Sequence, residues 1–199
     1  VCTPCLGRLR RLNGPRCERC GSPTAWPVAR CSECRGRRLA FASARSAVAY
    51  DVGAKALVSA WKERGLRWLA RDAGALVAEV VPRPKAYTIT FVPPDADRLL
   101  KRGYHPAESL ARELELQWQV PAVVLLERTR PARPQRGLGL ADRRANVRGG
   151  FRARERAPTR VALVDDVYTS GATAGAAASA LRRAGARHVD VITFARAVR

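Results

Sequence analysis

Val161-Ala-Leu-Val-Asp165-Asp166-Val-Tyr-Thr-Ser-Gly-Ala-Thr173 combines a buried-strand signal, two adjacent acids and a hydroxyl-rich glycine turn. Residues 161–164 are short, apolar and branched, which suits a strand covered on both faces. Residues 169–173 form the turn. From Ala174 onward Ala176, Ala177, Ala178, Ala180 and Leu181 favour helix, Arg182 and Arg183 fall in its last turn, and Gly185 stops it. Residues 189–194 give a second apolar run. Strand, turn, helix and strand predict a right-handed βαβ unit with a parallel sheet, hence an α/β fold.

In such a sheet ligands bind beyond the carboxyl ends of the strands, where Asp165 and Asp166 are expected. The turn opens a helix, so its N–H groups and the positive end of the helix dipole favour an anion. Hydroxyls of Thr169, Ser170 and Thr173 add donors, Gly171 lets the backbone approach a ligand closely, and Ala172 belongs to the same turn. This is a monophosphate cradle. Two carboxylates beside a phosphate need a neutral donor or a cation; a ribose diol meets the first need and Mg²⁺ the second. Other phosphate loops fit poorly, because no Lys follows the glycine as in GxxxxGK[ST] and no GxGxxG is nearby. The stretch resembles the phosphoribosyl-pyrophosphate (PRPP) signature of type I phosphoribosyltransferases. That resemblance implies that the acids hold the ribose diol and the turn holds the 5′-phosphate.

The chain has 199 residues, 47% of them apolar, enough for one sizeable domain and a small appendage. No apolar run approaches the roughly 20 residues of a membrane span, and no secretory signal opens the chain, which predicts a cytoplasmic protein. The formal charge of +20 favours polyanionic partners. Much of that charge is arginine, which also suits a solvated surface.

All six cysteines fall in the first 34 residues as three CxxC pairs, Cys2/Cys5, Cys17/Cys20 and Cys31/Cys34. In an intracellular chain such pairs are thiolate ligands for structural Zn²⁺. Gly21 suits a knuckle, and so few apolar residues surround the cysteines that metal must supply much of the folding energy. The chain opens at Val1 and contains no Met, so residues upstream are expected. The preferred assignment puts Cys17, Cys20, Cys31 and Cys34 on one zinc, with Cys2 and Cys5 joining an upstream pair on a second. The alternative joins Cys2/Cys5 to Cys17/Cys20. The expected division is a zinc-finger domain over 1–44 and a second domain over 45–199.

Downstream, residues 35–44 read as a basic linker and 46–50 as a strand. Residues 54–64 and 66–81 read as helices, with Lys62 near the end of the first. Residues 88–92 form another short strand, followed by Pro93-Pro94, a basic loop to Arg102, and a helix opening at His105-Pro106. Strand, proline turn and basic loop suggest a second anion site at the same sheet edge. Residues 122–126 are a further apolar run. Residues 127–150 carry seven arginines, including Arg128 and Arg143, without apolar periodicity, and read as a lid.

The order of CxxC pairs, Val92-Pro-Pro94, Lys101-Arg-Gly-Tyr-His-Pro-Ala-Glu-Ser-Leu-Ala111, the spacing of Gln135, Arg143 and Asn146, and the PRPP motif resembles the ComF (GntX-like) late-competence family over nearly the whole chain. That family usually shows Arg-Gly-Phe-Asn-Gln where this chain has Arg102-Gly-Tyr-His-Pro106. The resemblance implies a type I phosphoribosyltransferase fold with a flexible hood and an N-terminal zinc finger. It also implies Mg²⁺-dependent displacement of pyrophosphate from PRPP by a nitrogen nucleophile. Asp165 and Asp166 would orient the diol. Pro93, Arg102, Lys62, Gln135, Arg143 and Asn146 would surround the pyrophosphate, and hood closure would exclude water. A second reading makes the chain a non-catalytic PRPP sensor, or an accessory of DNA uptake or recombination that holds single-stranded DNA or competence proteins. Base-stacking platforms are sparse for that role, since Trp26 is the sole aromatic among the cysteines.

Overall fold

The computed structural model describes residues 1–129 and 149–198. In chain order the elements are α1 (Thr3–Gly7), β1 (Ser43–Ala49), α2 (Val52–Lys62), α3 (Leu69–Val80), β2 (Thr88–Phe91), α4 (Ala96–Arg102), α5 (Pro106–Trp118), β3 (Leu126–Arg128), β4 (Phe151–Ala153), β5 (Arg160–Tyr168), α6 (Ala172–Arg183) and β6 (His188–Arg196). Strands β1, β6, β5 and β2 lie side by side in that order as a parallel sheet. The βαβ unit of the opening stretch is β5, α6 and β6, at the centre of the molecule.

Both faces of the sheet are covered, which is why β5 begins as an unbroken apolar run. One face packs on α2, α3 and α5 through Trp61, Leu76, Leu110, Leu114, Val164 and Phe194, all buried. The other packs on α6 and on the antiparallel pair β3/β4 through Leu126, Phe151, Leu163, Ala177, Leu181 and Val191. The alanines of α6 let it lie close to the sheet. Helix α2 starts two residues earlier than its apolar spacing suggests because Asp51 caps it, its Oδ1 accepting from the Ala54 N–H at 2.9 Å.

Three expectations are corrected. Strand β1 begins at Ser43, inside the stretch read as linker, because residues 43–49 pair with β6. The basic loop after Pro93-Pro94 contains α4, a helix of seven residues too short and too polar to show periodicity. Strand β5 runs on through both acids to Tyr168, four residues beyond the apolar run, because Asp165, Val167 and Tyr168 are still paired to β6. Gln135, Arg143 and Asn146 lie outside the described residues.

Candidate functional site

A cavity of about 330 Å³ opens at the carboxyl end of the sheet, where β5 and β2 finish. Asp165, Asp166, Thr169 and Thr173 line it from β5 and the start of α6, Lys62 from α2, Pro93 from the turn after β2, and Arg102 from α4. Two predicted anion-binding segments, far apart in sequence, therefore share one space. Adjoining it, a pocket of about 20 Å³ is bounded by Thr169, Gly171, Ala172, Thr173 and Thr193.

The turn is built for close approach. Gly171 caps α6 with φ +71°, the left-handed region, and a side chain there would collide with the Tyr168 hydroxyl. Ser170 is buried, and its Oγ accepts from the Ala172 N–H at 3.4 Å. Its hydroxyl thus finishes the helix start and is absent from the cavity lining, whereas those of Thr169 and Thr173 border the open space.

Charges of both signs meet here. Lys62 Nζ lies 2.5 Å from Asp166 Oδ2, both side chains largely buried. Burial alone would lower the Lys62 ammonium, but the Asp166 carboxylate outweighs it and holds Lys62 above its ordinary value. Burial, reinforced by the neighbouring Asp166 carboxylate, pushes Asp165 up to about 7. Asp166 takes the ammonium, and Asp165 is left with the desolvation. Arg102 Nη2 contacts Glu63 Oε1 at 2.5 Å, which orients its guanidinium at the cavity rim. Arg128, on β3, donates to the carbonyls of Pro93 and Pro94 at 3.3 Å and lies over the Phe151 ring, 4.7 Å from its centre. Sequence reading counted Arg128 among the lid arginines without a role, because nothing local to it signals those carbonyls.

His105 also lines the cavity, against Phe91 with ring centres 5.6 Å apart. Burial pushes its imidazole down to about 4, so it is neutral at physiological pH. The two titrations oppose each other. The depressed His105 contributes stability above its unfolded value near 6.5, lost as pH falls through about 4. The raised Asp165 contributes stability below its unfolded value, lost as pH rises toward about 7. Their slopes offset one another between these limits. In His105→Asn only the Asp165 slope remains, so denaturant unfolding from pH 4.5 to 6.5 should show stability falling with rising pH in the variant and nearly level in the parent. A level variant profile would remove Asp165 as the opposing group.

A second constellation lies in the N-terminal segment. The sulfurs of Cys17, Cys20, Cys31 and Cys34 all fall within 4.8 Å of one another. Separations are 3.5 Å for Cys17 to Cys34 and 3.4 Å for Cys20 to Cys31. Burial acts to raise Cys17, but N–H groups of Cys20 and Cys31 outweigh it, with the Cys34 thiol adding, and bring it down to about 6. Burial carries Cys20 up to about 12 and Cys34 up to about 11. Four close sulfurs with N–H groups aimed at one of them form a donor set that could bind Zn²⁺. Gly21, at φ +71°, passes so near the Ala44 carbonyl that no side chain would fit. Cys2 and Cys5 are exposed and stand apart from this cluster.

No family model matches the chain. It is similar to Competence protein F of Haemophilus influenzae, 27% identical over 99% of this chain and 90% of that protein. It is also similar to Competence protein ComFC of Streptococcus pneumoniae, 24% identical over 98% and 87%. Among solved structures, glutamine PRPP amidotransferase from B. subtilis, complexed with ADP and GMP, overlaps 62% of this chain and 25% of its own length, at 24% identity and a TM-score of 0.44. The structure itself shows an α/β protein whose parallel sheet is flanked by helices, with paired acids and a glycine turn at the carboxyl end of that sheet. The chain is thus similar to the ComF-type competence proteins over nearly its whole length. Among the described residues, no helix is long and apolar enough to cross a membrane.

Proposed function

We propose that the chain binds PRPP and transfers its phosphoribosyl group to a nitrogen acceptor with release of pyrophosphate. The observation that carries this is the convergence of Asp165, Asp166, Thr169 and Thr173 with Lys62 and Arg102 on one cavity. In this reading the 5′-phosphate sits on the N–H groups of residues 171–173, and the diol on the acids. The diol replaces Lys62 on Asp166, and Lys62 turns to the departing pyrophosphate beside Arg102. As the C1–O bond breaks, positive charge grows on the ribose ring near the acids and negative charge on pyrophosphate near the cations. Asp165 and Asp166 are oxygen donors of the type Mg²⁺ takes, and the ion, bound with PRPP, would neutralise pyrophosphate. Gln135, Arg143 and Asn146, outside the described residues, are assigned to the pyrophosphate by the resemblance alone. Zn²⁺ on Cys17, Cys20, Cys31 and Cys34 is structural, and Cys2 with Cys5 serve a separate, weaker site.

In this reading, which the similarity to the competence proteins supports, the activity serves cytoplasmic DNA uptake, with single-stranded DNA or recombination proteins as partners. The test is calorimetric titration with PRPP, with and without Mg²⁺, coupled to a pyrophosphate-release assay over a panel of nitrogen acceptors. Binding in the micromolar range and Mg²⁺-dependent release are expected. Binding without release for any acceptor would make the chain a PRPP sensor, and no binding would overturn the reading.

A further inference from the structure

Two side-chain links run between the cysteine cluster and the turn that opens α6, and the chemistry above uses neither. Arg37 stands three residues after the last cysteine, and its Nη2 donates to the Ser170 carbonyl at 2.9 Å. Arg196 ends β6 with a fully buried side chain. Its guanidinium donates to the Cys20 carbonyl and, at 3.2 Å, to Glu33 Oε2. The same guanidinium lies 5.0 Å from the centre of the Tyr168 ring. Tyr168 faces Arg196 across the β5/β6 ladder, and its hydroxyl occupies the space a Gly171 side chain would need.

The geometry at Ser170 has a directional consequence. The Ser170 carbonyl and the Gly171 N–H belong to one planar trans peptide and point opposite ways. A guanidinium that grips the oxygen therefore sets the direction of the N–H, one of the donors an anion would meet. Both grips depend on the cysteine segment being folded: Arg37 follows it, and Arg196 finds its acceptors in Cys20 and Glu33. That segment has little apolar core beyond Cys17, Cys20 and Cys34, so ions held by its sulfurs decide its order.

We propose that Arg37 and Arg196 are positioning residues that couple metal loading of the four-cysteine cluster to the affinity of the 169–173 turn for a phosphate monoester. The ligand class rests on the PRPP reading. The coupling itself does not.

The experiment uses the full chain, zinc-loaded or stripped by a chelator, with amide hydrogen exchange at residues 171–173 and PRPP affinity as readouts. Zinc-loaded Arg37→Ala should show faster exchange in the turn and PRPP affinity lower by about tenfold, with zinc content and exchange in β5 and β6 unchanged. Arg37→Lys, which keeps a donor and the charge, should restore part of both. Stripping zinc from the parent should reproduce the Arg37→Ala change, and stripping it from Arg37→Ala should add less than in the parent. Unchanged turn exchange in zinc-loaded Arg37→Ala, or full additivity of the two changes, overturns the coupling. If stripping also loosens β5 and β6, the zinc-loaded Arg37→Ala comparison alone decides. Should the zinc-loaded parent fail to bind PRPP, the PRPP reading falls, while hydrogen exchange still decides the coupling.

Discussion

Asp166→Asn is expected to weaken PRPP binding at least a hundredfold. Asn keeps one oxygen but turns the second acceptor into a donor that faces the ribose hydroxyls. Charge-assisted hydrogen bonds contribute roughly 1.5–3 kcal/mol each; losing one, removing the charge from the other and setting a donor against a hydroxyl together correspond to that factor or more. The same change strands Lys62, whose close partner in the cavity is Asp166 at 2.5 Å. An ammonium that is largely buried and has lost its carboxylate costs stability, here on the order of 1–3 kcal/mol after allowing for its remaining exposure. Calorimetry on the folded variant separates the two effects, with Asp190→Asn as control. Asp190 sits near the start of β6, bonded to Ser43 at 2.7 Å, away from the cavity. PRPP bound by Asp166→Asn as tightly as by the parent would show that Asp166 does not hold the diol.

Cys34→Ser should abolish metal binding at the four-cysteine cluster and lower the melting temperature by on the order of 10 °C. Cys34 is fully buried, and its sulfur is 3.5 Å from Cys17. Structural zinc in small modules contributes roughly 10–16 kcal/mol of apparent binding energy, most of it spent on ordering the segment. The effect on the rest of the chain runs through Arg196. With the cluster unfolded, a fully buried guanidinium loses Cys20 and Glu33, a change costing about 3–5 kcal/mol. At this chain length each kcal/mol moves the midpoint by roughly 2–4 °C. Metal content by atomic emission and a thermal melt check both parts. A variant that keeps one equivalent of zinc, or melts with the parent, would remove the cluster from its structural role.

The central βαβ unit was legible because every local signal agreed: a branched apolar run, a glycine turn, an alanine-rich helix with terminal arginines, and a second apolar run. The length of β5 was not. Asp165 and Asp166 are poor strand formers, and only pairing with β6 keeps them extended. Helix α4 escaped for the opposite reason, since seven polar-rich residues give too few turns to show a period. In the site, the acids and turn followed from residue type and order, whereas the local pattern at Lys62 showed only a helix-terminal cation, and the resemblance alone brought it to the pyrophosphate. Its partner lies 104 positions away, beyond any local pattern. Arg196 was less visible still: it ends an apolar run, and its acceptors belong to a segment more than 160 residues earlier.

Both edges of the sheet are covered by irregular chain. On one side the Leu12 N–H donates to Ala47 and the Ala49 N–H to Arg10, each at 2.8 Å, so the segment before β1 pairs with its outer rim. On the other, Ile89 N–H donates to Pro121 at 2.8 Å and its carbonyl accepts from Val123 at 2.9 Å, which closes β2 in the same way. A four-stranded sheet with two bare rims would be a template for stray strands from other copies. Here irregular chain takes up some of the free donors and acceptors on each side, and on the β1 side the cover is the stretch that leads into the cysteines. Losing order there would therefore uncover an adhesive rim, and solubility would suffer along with ligand binding.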